Sequence, residues 1–597
     1  MVRNEYPRPQ MERESYICLN GEWQFSFDDR QESLQNKWYQ PQVQLERVIQ
    51  VPFCFESICS GIGETQPHET VFYKRDFELP RDWEKKQVIL HFGAVDYRCR
   101  VYVNGKFAGG HTGGQTPFSF NITSLLQPGS NQVSVWVQDR MEDLSQPRGK
   151  QYWKPKSEGI FYTRTTGIWQ TVWLEAVEEF HLTALRFTPD IERMQVQLDM
   201  EFACVPENAR VEVVVSQEDE IFAQEQISLY EEKSYAVISF ARKKSLFHYN
   251  NKLLWSPEHP VLFDAVIRLY SGERLCDEVK SYFGMRKVEQ RDGNLYLNGQ
   301  PYFLRLVLDQ GYWPDGVMTA PLDEDFQKDI RLAKEMGFNG CRKHQKVEDP
   351  RFLYWADKMG FLVWGECGNT QEFSIQSVER QLAEWPEIIR RDYNHPCIIA
   401  WVPLNESWGV LNIASNRQQQ EFSLALYYTI KSLDQTRPVV NNDGWEMTKT
   451  DIVAIHHYGH GTEEEQWKRQ IFSRDLTDLS TMLHTLPAYR RLFADGYSYE
   501  GQPVMLTEFG GIRYAPGESG NGWGYTNSST PQELLEQLQQ LFNMVTASPY
   551  LSGFCYTQLT DVEQEENGLL YADRTPKIEP ELCRKFIHTW RPHQAMI

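Results

Sequence analysis

Three glutamates close apolar runs of strand character: Glu366 in FLVWGE, Glu406 in IIAWVPLNE and Glu508 in PVMLTE. A carboxylate so placed projects from a rigid strand end into the space beyond it. A single one is more often a cap or a loop hydrogen-bonder, whereas three together point to chemistry. Cleavage of a bond between sugars is the reaction that needs carboxyl groups in pairs. One, protonated, donates to the leaving oxygen, and the other, ionised, attacks or stabilises the anomeric carbon. The two must sit in environments that push their pKa values apart.

Groups spread over more than a hundred residues need a scaffold that gathers strand ends. After Gly284 the sequence alternates between strand and helix. The expected strands are Tyr302–Val307, Phe338–Arg342, Phe361–Glu366, Ile398–Leu404, Pro438–Asn442, Ile452–His456, Pro503–Thr507 and Ser552–Thr557. Between most of them lie stretches such as LDEDFQKDIRLAKEMG and PQELLEQLQQLFNMV, with apolar residues three and four apart. Eight such units predict a (β/α)8 barrel over 286–597, with its active site at the C-terminal ends of the strands.

Upstream the rhythm is purely β. WQFSF, QVILHFG, RVYVNG and NQVSVWVQD predict an antiparallel sandwich over 1–178, and Asn104-Gly105 a tight hairpin turn. MQVQLDMEF, ARVEVVVSQ and LFDAVIRLY predict a smaller immunoglobulin-like sandwich over 179–285.

The 597 residues carry a net charge of −21, which disfavours a nucleic-acid partner. Aromatic residues at 13% argue against disorder. The eleven cysteines form no CxxC pair and read as reduced, buried thiols. The opening residues lack the apolar core of a signal peptide and there is no apolar run of membrane-spanning length, so the expectation is a cytoplasmic protein away from membranes. No nucleotide-binding fingerprint is present, since GGHTGG at 109–114 has neither the spacing nor a following helix. The expected partner is a small carbohydrate, with no organic cofactor and no metal. Homo-oligomerisation through the sandwiches is plausible for this architecture.

Longer motifs add a family resemblance. DYNHPCIIAWVPLNESWG (392–409) resembles the acid/base signature of glycoside hydrolase family 2, the family of β-galactosidases, β-glucuronidases and β-mannosidases. GFNGCRKHQKVEDPRFLYWADKMGFLVWGE (337–366) looks like its other signature segment, and LTEFGG (506–511) is similar to its nucleophile strand. FGAVDYRCRVYVNG, GGQTPFSFNITSLL and TTGIWQTVWLE mirror its N-terminal sugar-binding domain. The resemblance implies the order jelly-roll sandwich, immunoglobulin-like sandwich, barrel. It also implies a retaining exo-β-glycosidase with Glu406 as acid/base and Glu508 as nucleophile. Asn405 is suited to bond the sugar 2-hydroxyl, and Tyr458, with His457 beside it, falls where the family places a tyrosine that bonds the nucleophile.

For the sugar, the segment Arg342-Lys343-His344-Gln345-Lys346 departs from the family's β-galactosidase pattern, with Gln345 in a histidine's place. Asn567-Gly568-Leu569 lacks the lysine of the β-glucuronidase Asn-x-Lys motif. Arg342, Lys343, His344 and Lys346 are therefore expected to grip an anionic sugar, with Asp309, Trp523 and Tyr556 in the wall, which leans the reading toward a β-D-galacturonide. A neutral β-galactoside is the alternative substrate. A carbohydrate-binding protein with a degenerate barrel and a metalloenzyme using His456, His457 and His460 are the competing classes.

Overall fold

Alternation of inward and outward side chains builds both sandwiches. Along Gln195–Phe202, Val196, Leu198, Met200 and Phe202 are buried and the residues between them are not, the period-two pattern of a half-covered strand. The computed structural model describes residues 3–218, 220–240, 252–462, 465–516 and 522–588. Its first sandwich packs a six-stranded antiparallel sheet against a four-stranded one around Trp23, Phe25, Tyr73 and Leu90. The turn at Asn104-Gly105 joins two strands of the larger sheet, with φ of 52° and 75°. The second sandwich stacks a four-stranded sheet on a three-stranded one.

The barrel strands are β1 (Leu304–Asp309), β2 (Gly340–Lys343), β3 (Leu362–Glu366), β4 (Ile398–Val402), β5 (Val453–His456), β6 (Val504–Gly510) and β7 (Leu551–Thr557). They form one parallel sheet in the order β4-β3-β2-β1-β7-β6-β5. Covered on both faces, they are buried almost throughout: every residue of β4, IIAWV, is buried, and so are the charged residues of β2, GCRK. Helices such as Asp323–Glu335, Ile375–Asp392, Arg417–Leu433 and Pro531–Thr546 follow the strands.

One expected strand is absent as a ladder. Pro438–Asn442 lies between β4 and β5 but makes only the single bridges Trp401–Val439 and Asn405–Asp443 on the β4 side. On the other side its backbone donors go to side chains: Val439 N–H to Asp451 Oδ2 (2.9 Å) and Asn441 N–H to Thr450 Oγ1 (3.3 Å). Local side-chain acceptors have replaced a neighbouring strand. All eleven cysteines are free. Among the described residues no helix is long and apolar enough to cross a membrane.

Candidate active site

Backbone geometry at two strand ends aims the glutamates. Glu406 and Ser407 hold left-handed backbone, φ 51° and 59°, a conformation that costs free energy in non-glycine residues and concentrates at functional sites. It is held by Glu406 N–H to Asp443 O (2.8 Å) and Ser407 N–H to Asn442 Oδ1 (3.0 Å). In β6 the pairing with β5 jumps from Ile455–Leu506 to His456–Glu508. The extra residue, Thr507, is a bulge that re-aims the strand end.

The two carboxylates meet over His456. One oxygen of each glutamate and a His456 nitrogen lie within 4.8 Å of one another. His456 Nδ1 is 2.9 Å from Glu406 Oε1 and 3.4 Å from Glu508 Oε2, and its Nε2 is 3.0 Å from Asp443 Oδ1. Burial alone would lower the His456 pKa, but Glu508, Asp443 and Glu406 raise it to about 10, so the ring is an imidazolium.

Glu508 is gripped from both sides. Arg342 Nη1 reaches Oε1 at 3.2 Å, and the Tyr458 hydroxyl donates to Oε2 at 2.6 Å. Burial pushes this carboxyl up, yet His456 and Arg342 outweigh it and hold Glu508 below the usual range. Glu406 has the more exposed side chain, 18% against 7%. Tyr458 is positioned in turn by Thr557 (2.9 Å) and by Tyr525, whose ring stacks on it at 3.5 Å.

Arg342 is the hub. Fully buried, it also donates from Nε to Glu366 (2.8 Å), reaches Asp443 from Nη2 (3.1 Å) and bonds Asn405 Oδ1 (3.1 Å). Glu366 is thereby a structural acceptor, taking Arg342 on one oxygen and the Gln345 N–H and His344 Nδ1 on the other. Burial and the nearby cations Lys150 and Arg342 push His344 well below its ordinary value, so it is neutral.

Several residues expected in the substrate wall are engaged elsewhere. Lys343 pairs with Asp309 (2.7 Å) and Glu348 (2.9 Å), and Lys346 with Glu348 (3.0 Å) and two carbonyls. With Arg342 they are internal counter-ions, because a buried charge must be matched inside the protein. Tyr556 packs between Phe509 and Phe542 as core. His457 turns outward to Asp475 (3.4 Å) and Phe472; the alternation along β5 puts His456 inside instead. Trp523 stays at the mouth, its indole N–H on Gly159 O (2.9 Å).

That last contact belongs to a strap from the first sandwich, residues 145–166, which crosses the barrel mouth. Gly149 N–H donates to Asn369 O (3.0 Å), Tyr162 O–H to Glu565 Oε2 (2.5 Å) and Thr163 N–H to Glu563 Oε1 (2.9 Å). Phe161 packs on Trp408, two residues beyond Glu406, with ring centres 5.2 Å apart. The sequence alone does not place the strap, Asp443 or Tyr525 at the site and marks His456 only as a candidate metal ligand; for Asp443 the acid in NNDGW after an expected strand is the one available signal.

Among the described residues two groups have the spacing to hold a metal ion: Glu406, His456 and Glu508, and Asp357, His395 and Cys397. In the first, His456 is already engaged on both nitrogens, Nδ1 by Glu406 and Nε2 by Asp443. In the second, the Asp357 carboxylate is engaged by Tyr282 O–H, His395 and Cys397 N–H.

Three family models match the chain: "Glycosyl hydrolases family 2, sugar binding domain" over 17–163, "Glycosyl hydrolases family 2" over 180–286 and "Glycosyl hydrolases family 2, TIM barrel domain" over 288–591. A β-galactosidase of Thermoanaerobacter pseudethanolicus is 28% identical over 56% of this chain and 44% of its own length. A β-glucuronidase of Canis lupus familiaris is 24% identical over 78% of this chain and 77% of its own. The chain spans about half the length of the β-galactosidases it matches. A solved β-glucuronidase from Ruminococcus gnavus in complex with D-glucuronic acid superposes with a TM-score of 0.78 over 97% of this chain and 99% of that one, at 20% identity, a likeness of fold.

Proposed function

The chain belongs to glycoside hydrolase family 2, and from that premise we propose that it is a retaining exo-β-glycosidase acting on terminal β-linked galactose-type sugars. Glu508 attacks the anomeric carbon while Glu406 protonates the leaving oxygen; Glu406 then takes the proton of the water that releases the sugar. The observation that carries this reading is the approach of the two carboxylates within 4.8 Å. Retention calls for carboxyl groups about 5–5.5 Å apart, inversion for about 6.5–9.5 Å.

The surroundings support the division of labour. A nucleophile must be ionised, and Glu508 is the carboxylate held low by an arginine and an imidazolium. Tyr458 orients its attacking oxygen. Glu406 is the more open of the two, as suits an acid that must reach a leaving group. Asn405 accepts from Arg342 through Oδ1 and keeps its amide N–H groups for the sugar 2-hydroxyl, a contact that strengthens in the transition state. The matched segments support a working division at 1–178, 179–285 and 286–597, with the strap of the first unit completing the mouth of the third.

On p-nitrophenyl β-glycosides, Glu508→Gln is expected to lower kcat/KM by about four orders of magnitude or more. Glu406→Ala is expected to lose about 10²–10⁴-fold and to recover with azide on activated leaving groups. Wild-type turnover by either variant overturns the assignment.

A further inference from the structure

We propose that Lys150, carried by the strap rather than by the barrel, is the residue that selects a sugar bearing a carboxylate. The proposal rests on the reading of Glu406 and Glu508 as the catalytic pair and names the substrate class of that site. Its starting point is a deficit. Each cation at the end of β2 is spent internally: Arg342 on Glu366, Asp443 and Glu508, Lys343 on Asp309 and Glu348, Lys346 on Glu348. No positive charge from that segment is left for a ligand.

Lys150 differs from them in every respect that matters. It is 7% exposed, and among the described residues its ammonium group has no hydrogen bond and no carboxylate within ion-pair distance. It lies over the face of Trp408, 5.2 Å from the ring centre, and 5.9 Å from that of Tyr162. Rings attract a cation without neutralising it. The residue is largely buried but its ammonium keeps some access to solvent, so a counter-ion that arrives with a ligand can reach a charge that has no ion-pair partner of its own. The acid within reach of its field, Glu565, is already satisfied by neutral donors, Tyr162 O–H and Asn567 Nδ2 (3.0 Å).

The position is held on both sides. Gly149 has φ of 58°, and a Cβ there would stand 2.3 Å from the Gln345 carbonyl oxygen, so the strap lies directly on the loop after β2. The Lys150 carbonyl accepts from Tyr162 N–H at 2.9 Å. Trp408 ties the ammonium to the loop that carries Glu406, and its charge reaches His344, whose Nε2 is 4.0 Å from Glu508. A lysine is a compact point charge on a flexible stem; it suits a carboxylate at the sugar's C6 without demanding a bidentate fit.

The test compares p-nitrophenyl β-D-galacturonide, β-D-glucuronide and β-D-galactoside on wild type, Lys150→Met and Lys150→Arg. Wild type is expected to prefer a uronide. Lys150→Met should lower the uronide-to-galactoside ratio of kcat/KM by about thirtyfold, mainly through KM, as befits a lost hydrogen bond to a charged group. Lys150→Arg should restore most of it. The uronide KM should rise with salt in wild type and not in Lys150→Met. An unchanged ratio, an equal fall on both sugars, or wild-type cleavage of the galactoside alone overturns the proposal. If wild type cleaves no glycoside, the catalytic reading is what fails; calorimetric binding of D-galacturonate against D-galactose to wild type and Lys150→Met then decides on Lys150, with equal affinities counting against it.

Discussion

The end of β2 and the strap of the first sandwich both bring cations to the barrel mouth, and they treat them in opposite ways. At β2 every cation has acidic partners, most at 2.7–3.2 Å, and all three are almost fully buried. On the strap, Lys150 has aromatic neighbours and, among the described residues, no acid within ion-pair distance. The first arrangement is electrostatically closed. It holds Glu508 ionised and in place but has nothing to offer an incoming anion. The second is open. On the proposed reading, catalytic electrostatics is a property of the barrel, and recognition of charge is supplied by a domain that contributes nothing to the barrel's core.

The largest expected effect comes from breaking the closed side. Arg342→Met leaves Glu366, Asp443 and Glu508 without their shared cation and should cost about 3–5 kcal/mol of stability, as removal of one partner from a buried network does. Denaturant unfolding measures this, and a loss under about 1 kcal/mol would mean that the network is not self-neutralised. Activity should fall with it, because Glu508 loses its grip.

A second effect separates the regions by pH. His456 has a folded pKa of about 10 against an ordinary 6.5. Its contribution to stability is therefore complete below pH 6.5 and is lost as pH rises through about 10, with a slope of at most about 1.4 kcal/mol per pH unit. His456→Gln should flatten that alkaline decline, whereas Lys150→Met should leave its shape intact. Identical slopes in wild type and His456→Gln would remove the imidazolium from the account.

The smallest effect belongs to the strap. Gly149→Ala forces a methyl group against the Gln345 carbonyl in left-handed backbone, a strain of about 1–3 kcal/mol that the strap relieves by lifting off the barrel. KM should rise several-fold with a modest drop in Tm. A kcat loss with unchanged KM would place the strap in the chemistry and blur the contrast.

Much of this was legible in the residues. Asn104-Gly105 announced its hairpin because both positions need positive φ. Seven of the eight expected barrel strands are present, most of them as apolar runs long enough to be covered on both faces. That Glu406, Glu508 and Tyr458 meet at one site was legible because local motifs carry them. The expected strand Pro438–Asn442 is the one that does not form, since Val439 and Asn441 give their backbone donors to Asp451 and Thr450 rather than to a neighbour. Tyr556 looked like a sugar platform and is core, because a ring on a parallel strand has two faces available to bury it.

From the sequence alone come the three-unit order, the barrel and the two glutamates that face its mouth, because periodicity and local motifs are properties of contiguous residues. Only the tertiary structure decided which charges are spent. Arg342, Lys343 and Lys346 looked free and are paired; Lys150, which no sequence motif marks, has no ion-pair partner among the described residues. Ion pairing at burial depends on partners such as Glu366, Asp443 and Glu508, which lie 24 to 166 residues away from Arg342, and a Coulomb interaction depends on distance in space, which the folded chain alone sets.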